Sequence, residues 1–599
     1  MCGIVGWLEQ RQQIDPELLD AMRDTLVHRG PDGCGSWISP DGRAGLAHRR
    51  LSILDLSAAG HQPMTNEDET LWLTFNGEIY NFQPLRDELV QRGHRFRSRT
   101  DSEVLLHGFE EWGGPGLLAR LKGMFAFAIH DVRTGTLFAA RDRFGIKPLL
   151  YHHTPERFVF GSELKSIVRH PAVPKRLRRD ALADYFIYSY VPHPDTVYEG
   201  IHKLPPAHYL ELDRAGRLQL TRYWTLMPGS RRAPAAEVHE RTTELLRRAV
   251  GEHLVSDVPV GVFLSGGYDS SVVLMHTAQQ TGVRPSTFSL GFAGSDRSEH
   301  TAARQIAELL GSDHHERVLP RADDLFPLLE RLVGQYDEPF GVSSMLTYHH
   351  VCELAAQTHK VVLAGDGGDE LMAGYTWYPH YHRMRRHWKS WARILRYGKT
   401  LRDQFLDHYA RAQTGVFHHL FVSQWTDPLD PELRQLMEQR AYGHFERHFP
   451  SAHHPIQNVQ QLDVSVFMLD NSLQRADLSS MLHSLEVRVP FLDHELFEYV
   501  HSLHPSCYFD PQQNKKLIRR QLETALPPRI LDRPKHGFGF QHRDVMLTAP
   551  YLDFINHGEL RRRGILAQEV RPERTSGNLA LHLVLLEQWF RTHGRDLES

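Results

Sequence analysis

The chain has 599 residues, of which 41% are hydrophobic and 24% charged, and its formal net charge is −4. A chain of this length exceeds one ordinary hydrophobic core, so we expect two domains. The near-balanced charge gives no general attraction to nucleic acid or to an anionic membrane, and no apolar run approaches the roughly 20 residues that span a bilayer, so neither a nucleic-acid partner nor an integral membrane contact is expected.

The N-terminal residues lack the pattern of a secretory signal. The polar stretch from Glu9 to Gln13 interrupts the apolar run that such a signal needs, which also excludes Cys2 as a lipoprotein cysteine and predicts a cytoplasmic protein. The four cysteines are far apart and form no CxxC pair, which argues against a disulfide framework or a zinc ribbon. The 40 histidines include no HExxH motif, so we expect most of them to be surface or structural residues.

Residues 1 to about 225 are predicted to form many short β-segments separated by turns. Each is an apolar run bounded by Gly, Asp or Asn, as in CGIVGWL, TLWLTFNGEIYNF, GMFAFAIHD, GTLFAARDRFG and RFVFGSELKSI. Helical patterns fall between them, as in PLRDELVQRGH and DSEVLLHGFEEWG. This mixture predicts stacked layers of sheet and helix around one core.

The stretch LMPGSRRAPAAE, residues 226–237, has no periodicity and is the predicted linker between a domain of residues 2–225 and a domain of residues 238–599. An amphipathic helix, VHERTTELLRRAVGEHL, follows it. Three apolar strands, VPVGVFL, RPSTFSLGF and HKVVLA, then alternate with helical patterns, which predicts a parallel α/β sheet. Helical patterns dominate from Tyr375 onward, and the basic stretch at 382–400 is predicted to be a solvated helix rather than a membrane-surface helix.

The turn SGGYDSS, Ser265 to Ser271, is placed where the strand VPVGVFL meets the helix SSVVLMHTA. A helix N-terminus has unpaired N–H groups and the positive end of the helix dipole, so it binds anions. The two glycines allow close approach of a phosphate, and Asp269 would hold Mg²⁺ against it. The Walker pattern GxxxxGK[ST] is absent, which excludes a P-loop kinase or GTPase.

A second turn, GDGGDE, follows the apolar strand VVLA. Its three carboxylates are Asp366, Asp369 and Glu370. Next to a phosphate-binding turn, such a cluster is suited to metal binding or to base chemistry.

The chain resembles one known family over nearly its whole length, from Cys2 to about Phe540. The motifs SGGYDSS, FSLGF, YDEPF, LAGDGGDELMAGY, SMLHSLEVRVPFLDH, KKLIRR and RPKHGF occur in the order found in the synthetase domain of glutamine-dependent asparagine synthetases. The motifs MCGIVG, HRGPDG, AHRRLSILDLS, FNGEIYNF, TDSEVLLH, GMFAFAIHD, RDRFGIKPLLY and SELKSI are similar to the class II glutamine amidotransferase domain of the same family. The resemblance implies an α+β N-terminal-nucleophile hydrolase, a four-layer αββα sandwich, followed by a Rossmann-like α/β ATP-pyrophosphatase domain with a helical C-terminal part.

The resemblance implies that glutamine is hydrolysed at Cys2 once Met1 has been removed. The freed α-amino group, with a pKa of about 8, would then take the thiol proton. Asn76 and the backbone N–H of Gly77 would form the oxyanion hole. Arg50 would hold the α-carboxylate of glutamine, and Asp101 with Glu78 would hold its α-ammonium group.

The resemblance also implies that ATP is split between its α and β phosphates to adenylate a carboxylate, which ammonia then attacks. The residues expected to hold ATP, pyrophosphate and Mg²⁺ are Leu264, Ser265, Gly266, Gly267, Asp269, Ser270, Leu290, Gly365 and Lys515. Asp369 would share the Mg²⁺ with Asp269, and Asp366 would deprotonate the attacking ammonia. Lys516 is the alternative to Lys515. An apolar, water-poor tunnel would carry ammonia between the domains, with GMFAFAI and VRVPFLD as expected wall segments.

Three places depart from the family pattern: Tyr268 replaces a usual leucine, Gly341–Val342 a common Ala-Asp, and Leu478 a common arginine. They lie where adenylate and acceptor are expected to meet. The acceptor is therefore left open between aspartate, which would yield asparagine, and another carboxylate, such as a uronic acid of a surface polysaccharide or a peptide.

Two other functions fit the sequence less well. A ring-closing synthetase would need no ammonia, and the intact glutaminase residues argue against it. A non-enzymatic scaffold would be expected to have lost Cys2 or Asp269, and both are present. A homodimer is the default expectation for the assembly.

Overall fold

The computed structural model describes residues 2–293, 299–320, 324–379, 382, 428–440, 443–448, 454–533, 545–594 and 597. The predicted basic helix at 382–400, apart from His382, lies outside the described residues, as does most of the RPKHGF motif.

Two six-stranded antiparallel sheets form the first half of the chain. The strands are β1 (Gly3–Glu9), β2 (Gly33–Ile38), β3 (Ala44–Arg50), β4 (Met64–Thr65), β5 (Leu71–Ile79), β6 (Gly123–Asp131), β7 (Thr136–Arg141), β8 (Leu150–His153), β9 (Arg157–Gly161), β10 (Ile201–Lys203), β11 (His208–Leu212) and β12 (Leu218–Arg222). One sheet has the order β10-β8-β9-β1-β3-β2 and the other β12-β11-β7-β6-β5-β4. Contacts of β5 with β1 and β3 hold the two sheets face to face.

Helices cover the outer face of each sheet. The helices of this half are α1 (Pro16–Asp24), α2 (Phe82–Gln91), α3 (Ser102–Arg120), α4 (Leu164–Val168) and α5 (Arg179–Tyr188). Helix α1 packs on β1 and β3, whereas α3 packs on β5. Helix α2 packs against α3. The arrangement confirms the four-layer αββα sandwich. Strand β1 is buried along its whole length because it lies between a helix layer and a sheet, which explains its apolar sequence from Gly3 to Leu8.

Two local predictions differ from the structure. The segment SELKSI was expected to extend a β-segment, but the strand ends at Gly161 and Leu164–Val168 is helix α4. The predicted linker is also not a free connection. Leu226 is buried, and the backbone N–H of Gly229 donates to the His501 carbonyl, so that the linker packs along the helix His494–Ser502 before α6 begins at Ala235.

A five-stranded parallel sheet organises the second half. Its strands are β13 (Val260–Phe263), β14 (Ser286–Phe292), β15 (Asp313–Leu319), β16 (Val361–Leu363) and β17 (Glu486–Arg488), in the order β15-β14-β13-β16-β17. The helices associated with it are α6 (Ala235–His253), α7 (Tyr268–Thr281), α8 (His300–Leu310), α9 (Phe326–Gln335), α10 (Ser344–Ala356) and α11 (Gly368–Met372). The strand order changes direction at β13, and such switch points are where ligands bind at the carboxyl ends of parallel strands.

The C-terminal part is helical, as the sequence pattern predicts. Its described α-helices are Pro431–Arg440, Gly443–Arg447, Pro455–Leu462, Gln474–Met481, His494–Ser502, Lys516–Leu522, Pro528–Leu531, Ala549–Asn556, Glu559–Arg562 and Gly577–His593, with a π-helical segment at Asp463–Leu473. Within the described part of the chain, no helix has the length and apolar character that crossing a membrane would require.

The two halves share one hydrophobic core and buried ion pairs. Arg488, on β17, is fully buried and reaches into the first half, where its Nη2 donates to Glu78 Oε2 at 2.9 Å. Its Nε donates to Glu486 at 2.5 Å, and its Nη1 donates to the carbonyls of His253 and Val255 at 2.8 and 2.7 Å. A buried charge is tolerated only when its donors are satisfied in this way.

We predict that Arg488→Met lowers the free energy of unfolding by about 3–5 kcal/mol, because it leaves Glu78 and Glu486 buried without their shared cation. The measurement is urea unfolding followed by circular dichroism. The matched control is Arg92→Met. Arg92 pairs with Glu88 and Glu111, but its side chain is 45% exposed, so this variant is expected to lose less than about 1 kcal/mol. Equal losses in the two variants would contradict the structural role of Arg488.

Candidate active sites in the two domains

The residues expected to bind and cleave glutamine come together where the ends of the two antiparallel sheets meet. Cys2 immediately precedes β1, Arg50 ends β3, and Asn76 lies in β5 with Gly77 and Glu78 beside it. Asp101 immediately precedes α3, and its Oδ2 accepts a hydrogen bond from the N–H of Ile79 on β5 at 2.8 Å.

The two polar side-chain atoms of Asn76 have different surroundings. The backbone nitrogen of Cys2 donates to its Oδ1 at 2.9 Å, while its buried Nδ2 has no hydrogen-bond partner among the described residues. A buried unpaired donor costs about 1–3 kcal/mol, so its retention suits a site where an oxyanion forms. The next residue must be glycine, because a Cβ at Gly77 would lie 2.2 Å from the Met124 carbonyl oxygen on β6.

The Cys2 thiol lies in a mixed electrostatic environment. Desolvation raises the pKa of the thiol, whereas a hydrogen bond from the Leu51 backbone and the charge of Arg50 act in the opposite direction. The Arg50 guanidinium is held by backbone carbonyls: Nη1 donates to Ser57 at 2.8 Å and Nη2 donates to Asp55 at 2.5 Å. This cation is therefore fixed in place at the end of β3.

Two buried carboxylates, Asp101 and Glu78, lie near the end of β5. Burial raises the pKa of Asp101 to about 7, against the hydrogen bond from Ile79. Burial also raises the pKa of Glu78 well above its usual value, although Arg488 opposes the shift. Because each carboxylate adds to the negative charge near the other, the pair is suited to binding a cation such as an ammonium group.

The second site forms where the turns SGGYDSS and GDGGDE meet at the carboxyl ends of β13 and β16. Both turns need glycine for the close approach. A Cβ at Gly365 would lie 2.8 Å from the Asp269 Cβ, and one at Gly368 would lie 2.6 Å from the Asp269 Cγ. Gly266 has φ +81°, a backbone conformation that favours glycine.

The phosphate-binding prediction rests on the start of α7. Gly267 is the N-cap of this helix, and the Ser265 and Ser270 hydroxyls lie 3.1 Å apart at its first turn. Leu264 and Leu290 lie nearby at the ends of β13 and β14, both buried. The Tyr268 hydroxyl donates to the Leu531 carbonyl and not to a group of this turn.

Asp269 and Asp369 converge on one cation. The Lys515 Nζ donates to Asp269 and lies 2.7 Å from Asp369 Oδ1. Burial disfavours the charge on Lys515, yet the two carboxylates raise the pKa of its ammonium group above its usual value. Two carboxylates that already share a positive charge form a donor set that fits Mg²⁺. Lys516 instead donates to the Ser506 carbonyl, which favours Lys515 at this position.

Asp366 lies at the same strand end and is paired. Its Oδ1 accepts from the Nη2 of Arg475 at 3.0 Å, and Arg475 also donates to the Ser344 hydroxyl at 2.9 Å. Burial raises the pKa of Asp366, with Arg475 opposing. The neighbouring Glu370 accepts from the Tyr375 hydroxyl, and burial raises the pKa of Glu370 to about 8.

The helix Gln474–Met481 contacts both sites, which sequence reasoning missed. Its Arg475 binds Asp366, while its Asp477 forms a bidentate pair with Arg29 at 2.8 and 3.1 Å. Arg29 is fully buried and also donates to the Cys2 carbonyl at 3.1 Å and to Glu163 at 2.7 Å. Arg29 lies in the motif HRGPDG, so membership of that motif was the available signal.

A cavity of about 70 Å³ lies between the halves, next to this helix. Its lining includes seven charged residues, Arg141, Glu163, Lys203, Asp337, Glu338, Asp470 and Asp477. Several are paired, as Lys203 is with Glu338 at 2.5 Å. The remaining wall is mostly apolar, with side chains such as Leu149, Leu469 and Leu478, so the cavity combines apolar surface with charged groups. The GMFAFAI and VRVPFLD segments contribute instead to a smaller cavity of about 10 Å³, through Gly123 and Leu492.

The other departures from the family pattern have structural surroundings. Leu478 lines the interdomain cavity, where an arginine would add a further charge. A Cβ at Gly341 would lie 2.5 Å from the His582 ring, so this position has no room for alanine, and Val342 is buried.

Comparison with known proteins agrees with this two-part organisation. Residues 1–224 match the family described as glutamine amidotransferase domain, and residues 241–574 match the family described as asparagine synthase. Glutamine-hydrolyzing asparagine synthetase 3 of Bacillus subtilis (strain 168) is 32% identical over 100% of this chain and 100% of its own. Synthetase 1 of the same strain is 30% identical over 90% of this chain and 87% of its own.

More distant matches are less informative. Amidase chry2 of Gibberella zeae is 30% identical over 86% of this chain and 83% of its own. Among solved structures, the allosteric regulatory enzyme of purine biosynthesis is 17% identical with a TM-score of 0.31, covering 53% of this chain and 80% of that chain, a likeness too remote to bear on function. The full-length relatives and the two matched domains show that the chain belongs to the family of glutamine-hydrolysing asparagine synthetases, carbon–nitrogen ligases that use glutamine as the nitrogen donor.

Proposed function

We propose that the chain makes asparagine by amidating the side-chain carboxylate of aspartate with ammonia from glutamine, releasing AMP and pyrophosphate. The observation that carries the proposal is the helix Gln474–Met481, which contacts both candidate sites in one chain. Similarity to asparagine synthetase 3 over the full length of both chains supports aspartate as the acceptor. A cytoplasmic location and a homodimer remain predictions.

In the glutaminase half, Cys2 is the proposed nucleophile. Its α-amino group, exposed by removal of Met1, accepts the thiol proton, and the thiolate attacks the carboxamide carbon of glutamine. The C–N bond breaks as the proton is passed to the leaving ammonia, and water then hydrolyses the thioester to glutamate and free Cys2. The unpaired Nδ2 of Asn76 and the Gly77 N–H donate to the resulting oxyanion. Arg50 binds the α-carboxylate of glutamine, and Asp101 with Glu78 binds its α-ammonium.

In the synthetase half, the turn Ser265–Ser270 binds the phosphates of ATP, while Leu264, Leu290 and Gly365 contact the adenosine. Asp269 and Asp369 would hold Mg²⁺, which supplies charge neutralisation at the pyrophosphate when bound. Lys515, which pairs with both carboxylates, would neutralise charge on the phosphates. Asp366 takes a proton as ammonia attacks the adenylated carboxylate, and its raised pKa suits that role.

The interdomain cavity is the proposed start of the ammonia route. Asp477 and Glu163 line it and bind Arg29 beside Cys2, whereas Gln474 lines it next to Arg475 and Asp366. Neutral ammonia can pass along a wall whose charged groups are already paired, because each of those groups already has an oppositely charged partner.

The acceptor is tested by measuring AMP and pyrophosphate release in the presence of ATP, Mg²⁺ and glutamine. L-Aspartate is expected to stimulate release at least about tenfold over the reaction without acceptor, because adenylation needs a bound carboxylate. Uronic acids and peptide carboxylates are the comparison set. Stimulation by one of those and not by aspartate would refute asparagine synthesis while retaining the amidotransferase chemistry.

Cys2→Ala is expected to abolish glutamine-dependent synthesis and to leave synthesis from added ammonia near the wild-type rate, because only the nitrogen source is lost. The reciprocal variant, Asp269→Asn, is expected to lower ATP-dependent AMP release by about 100-fold or more while retaining glutamine hydrolysis. Both activities would be measured on each variant. Loss of both activities in correctly folded Cys2→Ala would refute two separate sites.

The pKa of Asp101 near 7 predicts a pH-dependent affinity for glutamine. Below pH 7 the carboxyl becomes protonated and loses the charge that binds the α-ammonium, so KM for glutamine is expected to rise by up to about tenfold per pH unit. Glutaminase assays between pH 5.5 and about 8 would measure it. Asp101→Asn is expected to have a raised KM without this dependence, and an unchanged pH profile in that variant would contradict the assignment.

A further inference from the structure

Three histidines from both halves of the chain meet outside the two candidate active sites. His193 follows α5, and His444 and His448 lie at the short helix Gly443–Arg447, four residues apart. The ring centroid of His193 lies 5.3 Å from that of His444 and 4.8 Å from that of His448, and the latter two are 4.9 Å apart. One ring nitrogen from each residue lies within 4.8 Å of the others. We name these residues the three-histidine cluster.

The central ring of the cluster has unmet hydrogen-bonding capacity. His444 is only 2% exposed, yet neither of its ring nitrogens has a hydrogen-bond partner among the described residues. Burying an imidazole without partners costs free energy, and such groups in native proteins call for an explanation.

A buried carboxylate completes the surroundings. The Oδ2 of Asp470 accepts from the Nδ1 of His193 at 2.8 Å and lies 3.8 Å from the Nε2 of His444. A carboxylate bound to one nitrogen of a histidine fixes the tautomer and leaves the other nitrogen for a metal, an arrangement typical of metal sites. The nearby cation Lys203 is paired with Glu338, and its charge also acts on Asp470.

We propose that His193, His444 and His448 bind a divalent transition metal, with Zn²⁺ as the expected ion. Imidazole nitrogens are preferred ligands of zinc, and three histidines with a carboxylate form a known type of donor set. Zinc–nitrogen bonds of about 2.0–2.1 Å place the ligand nitrogens of a tetrahedral site about 3.4 Å apart. Ring rotations that move each nitrogen by about 1 Å would bring the three nitrogens to this separation. The fourth position belongs to water or to Asp470.

The metal would join the two halves of the chain at the interdomain cavity. His193 comes from the antiparallel half, whereas His444 and His448 come from the helical C-terminal part, and Asp470 lines the cavity itself. A bound ion would therefore stabilise this interface and fix one wall of the cavity. The site lies outside the groups assigned to glutamine and ATP, so it does not depend on the proposed function.

Elemental analysis of the full-length protein tests the proposal. After chelation, reloading with ZnCl₂ and dialysis, wild-type protein is expected to retain about one zinc ion per chain, and His444→Gln and His448→Gln are expected to lose it. Absence of zinc from the wild type, or full retention by both variants, would overturn the proposal.

Two controls separate the cluster from other histidines. His501 is equally buried and its ring nitrogens also have no partner among the described residues, but it belongs to none of the three potential metal-binding groups found in the described part of the chain. His349 belongs to a separate group with His350 and Glu353. His501→Gln and His349→Gln are both expected to retain zinc. Loss in His349→Gln together with retention in His444→Gln would assign the metal to the other group and refute the proposal.

A measurement on wild-type protein alone covers the case in which the variants fail to fold. Co²⁺ loaded in place of zinc is expected to give the intense visible bands of a four-coordinate site with nitrogen ligands. ZnCl₂ is also expected to raise Tm of the chelated wild type and of His501→Gln, because the ion binds only the folded state. A weak octahedral cobalt spectrum with no rise in Tm would overturn the proposal.

Discussion

The structure depends on the buried ion pairs of Arg29 at the boundary between the two halves. Arg29 is fully buried, so its charge requires both Asp477 and Glu163, and its Nε donates to the Cys2 carbonyl. Removing one partner would leave an uncompensated buried charge, at a cost of about 3–5 kcal/mol. The position of the proposed nucleophile therefore depends on a carboxylate supplied by the synthetase half.

A second ion pair crosses the boundary with the charges reversed. Arg488 belongs to the parallel sheet but neutralises Glu78, which lies beside the proposed glutamine-binding carboxylate Asp101. Each half thus contributes a fully buried charged group to the other, and one hydrophobic core includes residues of both halves. A change in the helix Gln474–Met481 would reach both sites, because Arg475 and Asp477 lie two residues apart on it.

Sequence reasoning succeeded where the pattern was local. The strand GMFAFAIHD coincides with β6, and the turn SGGYDSS lies between β13 and α7 as its glycines and flanking periodicity predicted. It failed for SELKSI, which is too short for periodicity to distinguish a strand from a helix. The linker was predicted from its composition, but the packing of this segment against His494–Ser502 depends on hydrogen bonds to residues more than 260 positions away.

The sequence by itself determined the two chemistries, the family and the order of the domains, because motifs such as MCGIVG and SGGYDSS hold their reacting groups within a few residues. The tertiary structure decided which charged residues pair across the boundary between the two halves and which residues line the cavity there. It also brought His193, His444, His448 and Asp470 together over more than 270 positions, where no local pattern marks them. The physical reason is that burial and charge pairing act between residues that are close in space, whatever their separation along the chain.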